Sequence, residues 1–150
     1  MTGLATAFGS GAMTNPMDDI VEHAQAMLII GSNTTEQHPV FGAMIRQAVL
    51  QRKVKLVVAD PRRIDITEFA TLHLRHRPGS DIALINGLMY IILEKGWEDQ
   101  KFITERTEGY EAFRDNLKHF APEQMAGICG IDDPSLIVKA ARILAQAKPM

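Results

Sequence analysis

Two short, largely apolar runs, Ala26–Ile30 and residues 54–59, lie on either side of a segment with helical periodicity. Together they leave the chain few folds to choose from. The first run ends on Gly31 and has the length of a buried strand. The second is apolar on both faces, as parallel strands covered by helices require. Between them, Val40, Phe41, Met44, Ile45, Ala48 and Val49 fall on one face of a helix predicted over residues 39–51. A strand, a helix and a strand within about 35 residues form a βαβ unit, and its crossover should be right-handed.

The rest of the chain extends that pattern. Residues 1–12, with Gly3, Gly9 and Gly11, read as a loop or an arm. Residues 16–23 fit a short helix with Asn15 as N-cap, Pro16 at its first position, and Asp18 and Asp19 in its first turn. Residues 64–69 read as a helical turn, and 71–75 as a third, more polar strand nearer a sheet edge. Ser80 can cap a helix over 81–95 that Gly96 stops. The apolar positions Ile82, Leu84, Ile85, Leu88, Met89, Ile91 and Ile92 predict heavy burial for it. Helices are expected over Gln100–Arg106, 108–119 and 134–147, the last capped by Asp133, with a turn near Pro122. The chain stops at Lys148-Pro149-Met150, where the alternation calls for another strand, so it reads as cut there. The fold class is α/β: a three-layer Rossmann-like domain with a short parallel sheet flanked by helices. It is expected to be one unit over residues 1–150, truncated at both ends.

Composition narrows the function. At 150 residues, 46% hydrophobic and 23% charged, the chain can build an ordinary core, hiding roughly two-thirds of its unfolded surface. A net charge of −2 argues against a general nucleic-acid binder, which needs a basic field. No apolar run reaches the roughly 18–20 residues that span a bilayer, and no basic-then-apolar leader opens the chain. The expected compartment is cytoplasmic, with an export signal on a missing N-terminal part left open. The single cysteine, Cys129, allows no internal disulfide and no all-cysteine metal or iron–sulfur site in this chain. It reads as a plain buried residue. His73 and His76 are three apart, a spacing that in a strand puts them on opposite faces and makes them a poor metal pair.

Three loops can carry ligand chemistry, each following a predicted strand. Ligands of open α/β sheets sit beyond the carboxyl ends of the strands, where helix N-termini offer free N–H groups. In the first loop, residues 31–39, Gly31 allows a tight turn while Asn33, Glu36 and Gln37 supply hydrogen bonds. It lacks the GxGxxG spacing of the nicotinamide fingerprint. In the second, Asp60-Pro61-Arg62-Arg63, the carboxylate is placed to accept from ribose hydroxyls, and Arg62 can fork onto a phosphate. In the third, Arg77-Pro78-Gly79-Ser80-Asp81, Gly79 lets backbone approach a flat ring and Asp81 can accept from the N1–H and amine edge of a guanine. Each loop also has a structural use: a polar connection, a strand-end turn and a helix start. A parallel sheet would gather all three on one edge, where one dinucleotide would meet them.

The stretches Gly9-Ser10-Gly11-Ala12-Met13-Thr14-Asn15, Gly31-Ser32-Asn33, Asp60-Pro61-Arg62 and Gly79-Ser80-Asp81-Ile82-Ala83-Leu84 run in the order and spacing of molybdopterin oxidoreductases. Arg106-Thr107-Glu108-Gly109-Tyr110, Ala140-Ala141-Arg142 and Ala145-Gln146-Ala147-Lys148 resemble the catalytic alpha subunit of the formate dehydrogenase branch. The resemblance covers nearly the whole chain. It implies an α/β domain that binds one of two pterin guanine dinucleotides sharing a molybdenum or tungsten atom. Asn33, Glu36 and Gln37 would then contact the cofactor from the first loop. Asp60 and Arg62 would hold ribose and phosphate, and Gly79 and Asp81 the guanosine end. Glu36-Gln37 departs from the Asp-Ser pair of some members, and Asp81 stands where others have asparagine.

The resemblance also implies parts that lie elsewhere. The cysteine or selenocysteine on the metal and its neighbouring histidine would precede the Thr2-Gly3-Leu4 region, with an iron–sulfur cluster further upstream. An active-site arginine and the second pterin's domain would lie partly downstream. The expected role is therefore one part of an enzyme oxidising formate to carbon dioxide, inactive alone. Its partners would be the remaining domains of the same subunit and electron-transfer subunits, with no nucleic acid and no membrane segment in this chain. A nitrate reductase, a nicotinamide-binding module or a cofactor-free structural relative in a respiratory complex are the alternatives.

Overall fold

The computed structural model describes residues 2–11 and 15–147. Its centre is a sheet of three parallel strands in the order β1 (Ala26–Ile30), β2 (Lys55–Ala59) and β3 (Leu72–Leu74). Leu28 stands opposite Val57, and Val57 opposite Leu72. The alternation of side chains along a strand divides β2 between two cores. Val57 and Ala59 join Leu74, Leu84, Leu88, Ile91, Met125, Cys129 and Ile137 on one side. Leu56 and Val58 join Val21, Met27, Ile29, Ile45 and Ala48 on the other. All four β2 residues are fully buried, as expected for a central strand covered on both faces.

Helices supply the outer layers. On one face lie α2 (Met17–His23) and α4 (Pro39–Arg52), with the single turn α3 (Thr34–Gln37) leading into α4. On the other lie α5 (Asp81–Glu94), α8 (Pro122–Cys129) and α9 (Ser135–Ala145), the last packed across all three strands. Between α5 and α8 the chain forms α6 (Gln100–Arg106) and α7 (Tyr110–Leu117). A 3₁₀ turn, Asp65–Phe69, joins β2 to β3. Among the described residues no helix is long and apolar enough to cross a membrane. The three-layer α/β architecture with its short parallel sheet is as the sequence predicts.

Several local expectations are corrected. The glycine-bearing N-terminus forms α1 (Thr2–Phe8) rather than a loop. Leu4, Ala5 and Ala7 are strong helix formers, and Gly9 lies just past the end, at φ +74, donating to the Ala5 carbonyl. Of the segment that opened the family resemblance, residues 12–14 lie outside the described residues. Pro16, not Asn15, holds the N-cap of α2, and Asn15 Nδ2 instead donates to Asp19 Oδ2 at 3.0 Å. Proline loses nothing there, since the first N–H groups of a helix have no partner within it. The segment after Pro122 is a full helix, α8, because Met125, Ala126 and Cys129 bury against α5 and outweigh the poor propensity of Gly127. Val40 and Ile82, counted toward buried faces, are 74% and 76% exposed. Each lies two residues, about 200° of helix, from its buried neighbour Gly42 or Leu84. Ser80 sits at the N-cap of α5, but its hydroxyl donates to the Arg77 carbonyl at 2.6 Å instead of capping.

The N-cap position of α9 falls on Pro134 rather than Asp133, but the Asp133 carboxylate still binds the first helical residue. Its Oδ1 accepts from Ser135 N at 2.9 Å and its Oδ2 from Ser135 Oγ at 2.7 Å. These bonds hold its carboxyl below the ordinary carboxylate value. A lowered folded pKa means that its contribution is complete above the unfolded pKa and is lost as pH falls through the folded one. We therefore expect the stability difference between the wild-type chain and Asp133→Ala to be largest near neutrality. It should shrink toward zero in denaturant melts below the carboxylate range. A pH-independent difference would mean that the ionised carboxylate does not hold the start of α9.

Candidate cofactor-binding site

The carboxyl ends of the strands come together through backbone bonds. Gly31 N donates to the Ala59 carbonyl at 3.1 Å, and Asp60 N to the Leu74 carbonyl at 3.2 Å. All three loops therefore leave the sheet on one edge, side by side. Gly31, at φ +59, turns the chain out of β1, a conformation that costs an L side chain about 1–2 kcal/mol.

In the first loop Asn33 and Thr34 are buried while Glu36 and Gln37 are exposed. The Asn33 carbonyl accepts from the N–H groups of Glu36 and Gln37, closing α3 into its one turn. Asn33 Oδ1 accepts from Thr35 Oγ1 at 2.8 Å, which fixes the amide and leaves its NH₂ as donor. Gln37 Oε1 accepts from Ser32 Oγ at 3.3 Å. Thr34 Oγ1 is buried with no partner among the described residues. Such a group ordinarily belongs to a water or a ligand.

The second loop uses its acid structurally. Asp60 is buried, and its Oδ1 accepts from Arg62 N at 2.8 Å and Arg62 Nε at 3.3 Å. The carboxylate thus folds its own turn, and the Arg62 side chain, mostly exposed, is turned back on it. From the edge strand His73 Nε2 meets the Asp60 carbonyl at 2.9 Å. A carbonyl only accepts, so Nε2 carries the hydrogen there.

The third loop is tied to the helical layer by Arg77 N, which donates to the Cys129 carbonyl at 2.7 Å. Burial raises the Cys129 thiol above its ordinary value, and the Ser80 side chain offsets part of that. Gly79 stands at φ +81, and a Cβ placed on it would meet nothing within 4 Å. The backbone there faces open space. Asp81 begins α5 with a half-exposed side chain, and its Oδ1 lies 3.1 Å from His76 Nε2. A Cβ on Gly31 would lie 3.8 Å from the same oxygen. The Asp81 carboxylate therefore reaches across the end of β2 from the β3 loop to the β1 exit.

Sequence reasoning missed His76 and Thr34. His76, which its spacing marks only as a poor metal partner for His73, is 2% exposed and pairs with a candidate ligand residue. Its spacing of five from Asp81 around Pro78-Gly79, a tight turn, was the available signal. Beside it an open groove of about 560 Å³ runs past the edge strand, lined in part by Pro61, His73, Arg75, Arg77 and Pro78. A second groove of about 430 Å³, with Gln25, Lys53 and Lys55 on its wall, lies at the opposite, amino end of the strands. It contains none of the candidate residues.

Comparison with known proteins places the chain in a family. The family model described as molybdopterin oxidoreductase matches residues 3–148. The F420-dependent formate dehydrogenase subunit alpha of Methanocaldococcus jannaschii is 41% identical over 148 residues, covering 99% of this chain and 22% of that protein. A nitrate reductase of Symbiobacterium thermophilum is 34% identical over 160 residues, covering 99% of this chain and 21% of the relative. Among solved structures, acetylene hydratase from Pelobacter acetylenicus superposes with a TM-score of 0.78 at 30% identity. That match covers 84% of this chain and 17% of the other. The chain thus spans about a fifth of the length of the curated relatives it matches. With nearly every residue inside the family model, the chain belongs to the molybdopterin oxidoreductase family.

Proposed function

We propose that this chain is the part of a molybdenum- or tungsten-dependent formate dehydrogenase that holds one pterin guanine dinucleotide, and that it catalyses nothing alone. The observation that carries this reading is the Asp81 carboxylate standing against Gly31, which joins loops fifty residues apart at one sheet edge. A ligand long enough to carry a phosphate, a sugar and a base would touch all three loops.

The donor set fits such a group. The Asn33 amide and the exposed Glu36 and Gln37 would hold it from the first loop. The Thr34 hydroxyl, buried next to them and without a partner among the described residues, would gain one. Arg62 would offer its exposed guanidinium to a phosphate, while Asp60, already engaged by Arg62, would keep that turn in place and accept from a ribose hydroxyl. Gly79 would let the backbone lie against a ring in the space its missing Cβ leaves open. Asp81 would take the N–H donors of the guanine edge. When bound, the paired pterins and their metal supply the two-electron chemistry that takes formate to carbon dioxide. This chain's contribution is binding and orientation. Its partners would be the remaining domains of the same polypeptide, which complete the cofactor's cradle and carry an iron–sulfur cluster, and electron-transfer subunits beyond them. Formate is preferred to nitrate on the Thr107-Glu108-Gly109-Tyr110 stretch and on the higher identity to the formate dehydrogenase subunit, 41% against 34%.

Titrating the 150-residue chain with GDP while following amide NMR shifts tests the reading. Shifts should concentrate at residues 31–37, 60–63 and 76–81 and be weaker with ADP. Asp81→Ala removes a charged hydrogen-bond acceptor worth about 1.5–3 kcal/mol, so affinity should fall about tenfold or more. Shifts scattered elsewhere, or equal response to ADP, would count against the guanosine site.

A further inference from the structure

We infer that His76 is a positioning residue for Asp81: its ring locks the carboxylate at the junction of the β1 and β3 loops and thereby sets selectivity for a base edge with two adjacent N–H donors. The inference rests on the guanosine-end role proposed above for Asp81.

The ring is held from both sides of its own backbone. Two residues earlier, Leu74 ends β3 with no exposure, and one residue later Arg77 N is tied to the Cys129 carbonyl. His76 itself is 2% exposed, so its ring has no room to turn away. The 3.1 Å contact between Nε2 and Asp81 Oδ1 then assigns the hydrogen. A carboxylate oxygen accepts, so Nε2 is the donor, and in the neutral ring Nδ1 is left bare.

Nδ1 is also buried with no partner among the described residues. A leucine would fill a similar volume without leaving a buried nitrogen unsatisfied, a condition that native structures generally avoid. The compensation lies at Nε2. The Asp81 side chain is 45% exposed, and without a partner a carboxylate so placed would sample several rotamers. His76 takes one lone pair of Oδ1 and leaves the rest of the carboxylate's acceptor capacity unspent. The donors of a base then meet a carboxylate whose plane is already set, with less ordering left for binding to impose. A ring edge with two neighbouring donors gains most from this, because both bonds need the same plane.

The test compares the wild-type chain with His76→Leu and His76→Gln. Leucine keeps the volume and removes the donor, whereas glutamine carries an N–H at a similar reach. Affinities for GDP and for inosine diphosphate, which lacks the second donor, are read by NMR titration alongside thermal melting. His76→Leu should weaken GDP about fivefold and bring the GDP-to-inosine-diphosphate ratio toward one, with Tm unchanged or raised. His76→Gln should restore both affinity and ratio. An unchanged ratio in His76→Leu, or equal losses for both nucleotides with a lowered Tm in both variants, would overturn the assignment. A second readout needs no nucleotide. The ring nitrogen shifts of His76 should report the Nε2–H tautomer, and the Asp81 carboxyl carbon should shift in His76→Leu but return in His76→Gln. A ring protonated at Nδ1 alone, with Nε2 bare, would overturn the inference by itself. If the wild-type chain binds neither nucleotide, the proposed guanosine site fails in the isolated chain, while the tautomer and carboxyl shifts still decide whether His76 pins Asp81.

Discussion

Leu84→Ala lowers the free energy of unfolding by about 2–5 kcal/mol, seen as a fall in the urea midpoint with the slope unchanged. Leu84 is fully buried on α5, in the cluster that joins β2 and β3 to α8 and α9. Truncation leaves a void that these layers are poorly placed to close. Three residues along the same helix, Gly87 already presses on α8, where a Cβ would stand 3.1 Å from Met125 Cβ. The helices are thus in contact at their closest point, and α5 cannot sink further toward α8 there. Against a total stability of about 5–15 kcal/mol for a domain of this kind, the loss is a large fraction. Ile82→Ala provides the contrast. It lies two residues away but is 76% exposed, so its effect should stay within about 0.5 kcal/mol. Similar losses for both variants would mean that α5 buries a different face.

The fate of these two residues shows what was legible in the sequence. Periodicity identified α5 and its burial in general, since Leu84, Leu88 and Ile91 recur at helical spacing. It did not separate them from Ile82 and Ile85, because a helix rich in apolar residues all round has no unique inward face. Which side turned inward was decided by the small residue Gly87 and by α8, where the sequence predicted only a turn near Pro122. The strands were easier to read. Ala26–Ile30 and the run through Ala59 are apolar, short and bounded by Gly31 and Asp60, and β-structure has few other uses for such segments. In the candidate site, the three loops were legible as strand exits, and parallel pairing alone brings strand exits to one edge. The partners inside each loop were not. That Asp60 folds its own turn with Arg62, and that Asp81 meets His76, depends on rotamers and on a few tenths of an ångström. Such distances have no periodic signature.

Gly42→Val should cost about 3 kcal/mol, at the upper end for forcing volume into a packed interior, and it should disturb the first loop selectively. Gly42 is buried in the first turn of α4, where a Cβ would stand 3.1 Å from both the Thr34 carbonyl oxygen and Thr35 Cα. Those neighbours are backbone atoms, so no rotamer change relieves the contact. Either α4 retreats from the sheet, losing the burial of Ile45 and Ala48, or the Asn33–Thr34 turn is pushed outward. The second route acts directly on the residues assigned to hold the cofactor from this loop. Amide shifts at residues 31–37 should therefore move in the variant, while those at Gly79 and Asp81 stay nearer their wild-type positions, and GDP affinity should fall. Gly127→Ala is the matching control, since it also replaces a helical glycine. There the added methyl meets nothing within 4 Å, so relief of glycine's helix penalty should raise stability by about 0.5–1 kcal/mol. Opposite signs at the two positions would mean that Gly42 is required by the backbone it touches, not by the helix it belongs to. A neutral or stabilising Gly42→Val would show that α4 and the first loop are not packed as described, and the first loop's part in the proposed site would have to be abandoned.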